Sequence, residues 1–171
     1  MSNQEFFIAT WKKEMPLTIN CLRKIPEDKW DWRPHEKTRS AKQLLDHLTS
    51  HAEDLVEGVQ TGVINHRVLA NYASVEEAVE GFEEQSQKLL ELVATTSDAA
   101  WNETKVPLLV FGNKVGEDSM SGMCWTFLHD IIHHRGQLSV YLRPMGAVNS
   151  YIYGPTAEMI ESIAAQTAAA N

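Results

Sequence analysis

Cysteine is scarce in this chain: Cys21 and Cys124 are the only two among 171 residues. Two such distant thiols make no framework of cross-links, and the amino-terminal stretch holds no apolar signal segment, so a reduced, cytoplasmic protein is expected. Long apolar runs are also missing, because charge regularly interrupts the helical patterns, which excludes a spanning helix and a membrane partner. Positive charge is in short supply: 15 Lys and Arg stand against 23 Asp and Glu, a formal net charge of −8. That balance argues against a nucleic-acid partner, whose phosphates would want a basic face. There is no internal repeat and no low-complexity stretch apart from an alanine-rich tail. The chain is long enough to bury a core without disulfide or metal staples, and it reads as a single domain over residues 1–171.

What the chain does have is histidine, and the histidines are clustered. Of seven, His47, His51, His129, His133 and His134 lie on just two helical stretches. The richer one runs from Leu128 to Arg143, L-H-D-I-I-H-H-R-G-Q-L-S-V-Y-L-R. Apolar residues at Cys124, Phe127, Leu128, Ile131, Leu138 and Leu142 recur at the three-and-four spacing of an amphipathic helix. With about 100° per residue and Ile131 at the centre of the apolar stripe, His134 lies roughly 60° and Asp130 roughly 100° away on the same side. His129 and His133 fall more than about 150° from the centre, on the outward face. The second stretch repeats the arrangement. Leu44, Leu45, Leu48, Ala52, Leu55, Val56 and Val59 form its stripe, with His51 about 60° and His47 about 100° from Leu48, again on one side.

The remaining segments supply the scaffold. Phe6, Phe7, Trp11, Met15, Ile19 and Leu22 predict a first helix over Asn3 to Lys24, with a kink or late start at Pro16. Ile25 to Arg39 is a connector whose Trp30 and Trp32 plug one end of the helical array. Capping boxes at Ser40 with Gln43 and at Ser74 with Glu77 open the second and third helices. Thr61 to Ala73 has no period and is read as a connector. Ser97 to Ser119 is a long connection of the kind that often forms a lid or binding loop, and its V-P-L-L-V-F run predicts a short strand. Pro144 and Gly146 end the histidine-rich helix near Arg143, and a short helix starts near Thr156. Gly136 is expected to allow close helix approach, Arg135 to enter a salt bridge, and Cys124 to be a small buried hydrophobe.

Four long helices make an all-α four-helix bundle the expected fold. Histidine with carboxylate on facing helices is how such a bundle holds a transition metal. A di-iron site needs two E-x-x-H pairs, and no glutamate here has histidine three residues later. A zincin-like reading of His129-Asp130-Ile131-Ile132-His133 puts both histidines on the polar side and leaves no third ligand downstream. The remaining pattern joins His47, Asp130 and His134, two imidazoles and a carboxylate, with open positions for water or substrate.

The H-H-R-G-Q-L-S-V-Y-L-R box, the L-L-D-H-L helix, the I-P-E-D-K-W-D-W-R-P connector and the later Y-G-P resemble the DinB/YfiT-like superfamily of metal-binding bundles. The resemblance spans most of the chain. It implies up-down-down-up connectivity, frequent homodimers, and a divalent nickel, zinc or manganese ion held by three histidines; a carboxylate among the ligands suits zinc, manganese or iron. By that pattern the ligands fall on His47, Asp130 and His134, although metal-bearing relatives mostly carry histidine where Asp130 stands. The exchange of imidazole for carboxylate should alter affinity and metal preference. The implied activities are S-transfer or isomerisation with a low-molecular-weight thiol such as bacillithiol or mycothiol, or metal-dependent hydrolysis of a small-molecule substrate. The competing expectation is a non-catalytic, stress-linked dimeric bundle in which the polar cluster stabilises the fold and His129, Ile132 and His133 belong to a dimer face.

Overall fold

A computed structural model describes residues 1–169. Four long helices dominate it: α1 (Asn3–Leu22), α2 (Ala41–Thr61), α3 (Val75–Thr95) and α5 (Met120–Leu142). A short α4 (Asp98–Glu103) precedes the hairpin described below, and α6 (Ala157–Ala169) closes the described chain. α1 and α2 each pack against both α3 and α5, around one core that includes Trp11, Leu48, Phe82, Leu128 and Ile131. The amphipathic stripes read from the sequence face this core.

Helix starts follow the expected capping chemistry. Ser40 and Gln43 form the reciprocal box at α2, and Ser2 with Glu5 does the same at α1. At α3 the Ser74 hydroxyl accepts from Glu77 N–H, but the Glu77 carboxylate takes the Ala73 N–H instead of that of Ser74. α1 begins at Asn3 and continues through Pro16, so the late start is not found. Trp30 and Trp32 are partly buried against the core, and Trp32 meets Tyr141 edge-on at 5.2 Å.

The fold is mostly α, as expected, and carries in addition a small three-stranded sheet, β1 (Ile64–His66), β2 (Lys105–Val110) and β3 (Asn113–Ser119), in that order. The V-P-L-L-V-F run does form a strand, and it pairs antiparallel with β3 across Phe111-Gly112. Both turn residues have positive φ, 48° and 81°, as a two-residue hairpin loop of the primed type requires. The segment read as a featureless connector supplies β1, parallel to β2 with His66 opposite Val110. Gly136 is exposed, with nothing within 4 Å of a Cβ built on it, so it permits no close approach. A close approach between elements is made at Gly58 in α2, where an added Cβ would lie 2.5 Å from Ile64 Cγ1 of β1. The bare backbone there lets the sheet lie down on α2.

Candidate metal centre

α2 and α5 bring four side chains to one point in the interior. His47 and His51, one turn apart on α2, face Asp130 and His134, one turn apart on α5. His47 Nε2 lies 2.9 Å from His134 Nε2 and 3.8 Å from Asp130 Oδ2. Asp130 Oδ2 is in turn 3.3 Å from His134 Nε2 and 2.8 Å from His51 Nε2. The three imidazoles are buried, and Asp130 is half-buried, opening toward solvent.

The outer nitrogens fix where the ring protons sit. His134 Nδ1–H donates to Gln137 Oε1 at 2.8 Å, and His51 Nδ1–H points to Asp54 Oδ2 at 3.4 Å. His66, from β1, donates Nδ1–H to Asp54 Oδ2 at 2.6 Å and accepts at Nε2 from His47 Nδ1–H at 3.2 Å. With the rings neutral, the inner Nε2 atoms are then acceptors aimed at one another and at the Asp130 carboxylate, so that a proton or a cation has to bridge them. Burial, followed by the neighbouring His51, Arg39, His134 and His66, pushes His47 down to about 3, so its ring is neutral at physiological pH. Burial raises Asp130, but hydrogen bonds from His134 and His51 outweigh it and hold the carboxyl well below the usual range. For Asp54 burial again raises the carboxyl, and hydrogen bonds from His51 and His66 again outweigh it, so that it ends lower than usual. Burial lowers His51, but bonds to Asp130 and Asp54 outweigh it and leave the imidazole raised.

Four electron-pair donors this close repel unless a proton or a cation lies among them. Donors about 2 Å from a common tetrahedral centre lie about 3.3 Å apart. Four of the six separations, 2.8, 2.9, 3.3 and 3.8 Å, bracket that edge, and all six are within 4.8 Å. Three imidazoles and a carboxylate suit zinc, nickel, iron or manganese. His47, His51 and Asp130 also form the floor of a pocket of about 400 Å³, walled by Leu108 and Val110 of β2 and Phe127 of α5. The pocket belongs to the size class of small-molecule sites, apolar with a few convergent polar groups.

A model of the DinB family matches residues 1–167. The chain belongs to the DinB family. Its fold is similar to that of a DinB-like protein from Bacillus subtilis, at 15% identity and a TM-score of 0.65, covering 88% of this chain and 99% of that one. It is similar also to a DinB-like protein from Bacillus cereus, at 16% identity and a TM-score of 0.69, covering 87% and 97%. Among curated proteins none matches the sequence.

Within this DinB fold, the three residues singled out from the sequence, His47, Asp130 and His134, do converge. His51 joins them, although a border histidine taken alone carries little functional weight. Its signal was its position four residues after His47, the same interval that separates Asp130 from His134. His66 sits in an aperiodic segment and had no local signal. His129 and His133 face outward as the wheel indicates, yet they also line the pocket rim, and Gln137 Nε2–H donates to His133 at 2.9 Å. Among the described residues, no helix is long and apolar enough to cross a membrane.

Proposed function

We propose that this chain is a metal-dependent enzyme in which His47, Asp130 and His134, with His51 as a fourth donor, hold a divalent cation at the floor of the apolar pocket. The observation that carries this reading is the convergence of four ligand-type donor atoms, all within 4.8 Å of one another. When bound, such an ion supplies an electrophile that lowers the pKa of a thiol or a water to near neutrality.

The chain's own groups supply the rest. Leu108, Val110 and Phe127 receive an apolar substrate portion and exclude water beside the donors. Neither cysteine serves as the nucleophile. Burial pushes the Cys21 thiol up to about 12 and Cys124 higher still, so the reacting thiol must come from outside the protein. Resemblance to the thiol-using DinB members favours S-transfer from a low-molecular-weight thiol. Four protein donors leave open positions on a five- or six-coordinate manganese, iron or nickel ion, whereas they close a tetrahedral zinc. That closure favours a second reading, a structural metal in a non-catalytic, dimeric bundle.

Metal analysis of wild type and His47→Ala, with anomalous scattering to place the ion, tests the site. Metal is expected in the wild type and at least roughly tenfold weaker binding in the variant, since a donor is lost. Turnover of electrophiles by the reconstituted protein with cysteine, bacillithiol or mycothiol is expected. If metal raises the melting temperature but no thiol or water reaction appears, the structural reading stands and the enzyme reading falls.

A further inference from the structure

His47, His51 and Asp54 occupy positions i, i+4 and i+7 of α2, one face of one helix. Asp54 is buried at 7% exposure and touches two imidazoles with the same oxygen: Oδ2 lies 3.4 Å from His51 Nδ1 and 2.6 Å from His66 Nδ1. His66 passes the constraint on, with its Nε2 3.2 Å from His47 Nδ1. An ionised carboxylate only accepts. It therefore compels Nδ1–H on His51 and on His66. The acceptor this leaves on His66 compels Nδ1–H on His47. Two of the three imidazoles thereby have Nε2 free for the same point, and one carboxylate decides both.

We propose that Asp54 is a positioning residue of the metal centre, acting directly on His51 and through the strand residue His66 on His47. The proposal rests on the metal reading above. It also gives the small sheet a role, since β1 is the element that delivers His66 and its pairing with β2 sets that residue opposite Val110. An outer hydrogen-bond partner sets a ligating histidine's tautomer and ring orientation, and its loss typically weakens metal binding roughly 10–100-fold.

The test uses zinc, measured by chelator competition on the full chain, with nitrogen-15 histidine spectra of the zinc-loaded wild type. The spectra should show His47, His51 and His66 each protonated at Nδ1, with Nε2 of His66 bare. Asp54→Leu, which keeps the shape and removes the acceptor, should weaken zinc binding roughly 10–100-fold. Asp54→Asn should lose less, because its amide oxygen still accepts. His66→Leu should resemble Asp54→Leu, while His66→Gln should recover affinity, since its carboxamide can accept from His47 and donate to Asp54. A rescue of this kind separates hydrogen-bond direction from mere packing. Zinc affinity of a folded Asp54→Leu protein within twofold of wild type overturns the proposal, as does a His66 proton found on Nε2. Should Asp54→Leu not fold, the His66 tautomer in the wild type decides alone. A wild type that binds none of zinc, nickel, manganese or iron overturns the metal reading and this proposal together, whereas tight binding that ignores Asp54 overturns the proposal only.

Discussion

At the scale of single residues the two α2 histidines carry opposite linkages to pH, which a metal-stripped protein should reveal. His47 falls from its ordinary 6.5 to about 3 in the fold, so the unfolded chain takes up a proton there that the folded chain refuses. Its contribution to stability is therefore present above about pH 6.5 and lost as pH falls toward 3. His51 is raised, so its contribution is complete below its ordinary 6.5 and is lost as pH rises through the folded value. In chelator, denaturant unfolding of His47→Gln should show a shallower loss than wild type between pH 6.5 and pH 4, and His51→Gln a shallower loss on the alkaline side. Wild-type and His47→Gln curves that run parallel through the acid range would contradict the neutral, buried state assigned to His47. With metal present, His51→Ala should weaken binding but leave more than His47→Ala does. His51 spans only to Asp130, 2.8 Å away, whereas His47 meets both His134 and Asp130.

At the scale of elements, the meeting of α2 with β1 depends on Gly58. A Cβ there would stand 2.5 Å from Ile64 Cγ1 and 3.0 Å from Ile64 Cδ1, too close for either atom to remain in place. Gly58→Ala should gain about 1 kcal/mol of helix propensity and lose about 1–3 kcal/mol to overpacking, a net destabilisation in denaturant titration. Because His66 is two residues after Ile64, the displaced strand should also weaken zinc binding, although Gly58 touches no donor. A destabilised variant with unaltered zinc affinity would show that β1 does not tune the centre. The same elements explain what was legible beforehand. His47, Asp130 and His134 lie on long periodic helices, where a 100° step per residue suffices to place a side chain on the core border. His66 could not be placed that way. Its position follows from a parallel pairing between segments more than forty residues apart, Ile64 with Leu108, that no local pattern announces. The β3 half of the hairpin was hidden for a related reason. Its N-K-V-G-E-D-S sequence is polar and mostly exposed, and it is strand only because β2 lies beside it.

At the scale of the whole molecule, α5 is held by polar contacts on two sides, and the two sides should respond differently to perturbation. Toward α2 it presents Asp130 and His134, two of the donors that a cation would join. Added metal should therefore stabilise the fold by mass action, by about 2.7 kcal/mol at a hundredfold excess over Kd. Toward α1 it presents Arg135, 1% exposed, whose guanidinium donates to Glu14 Oε2 at 2.7 Å, to the Glu14 carbonyl at 3.1 Å and to Thr18 Oγ1 at 3.2 Å. The Tyr153 hydroxyl closes this cluster by donating to Glu14 Oε2 at 2.6 Å, tying the segment before α6 to the ring of long helices. No metal is needed there, because the charges already compensate. Arg135→Met should cost about 3–5 kcal/mol, since it strands a buried carboxylate, whether or not metal is present. Pairing it with Glu14→Leu should recover most of that loss, because two apolar side chains replace an ion pair whose desolvation consumed much of its Coulombic gain. Tyr153→Phe should cost only about 1 kcal/mol, because Glu14 keeps its arginine. Chemical unfolding of the single and double variants with and without zinc measures all of these terms. If the cost of Arg135→Met vanished once metal was bound, the two faces of α5 would be coupled, and the description of them as independent anchors would be wrong.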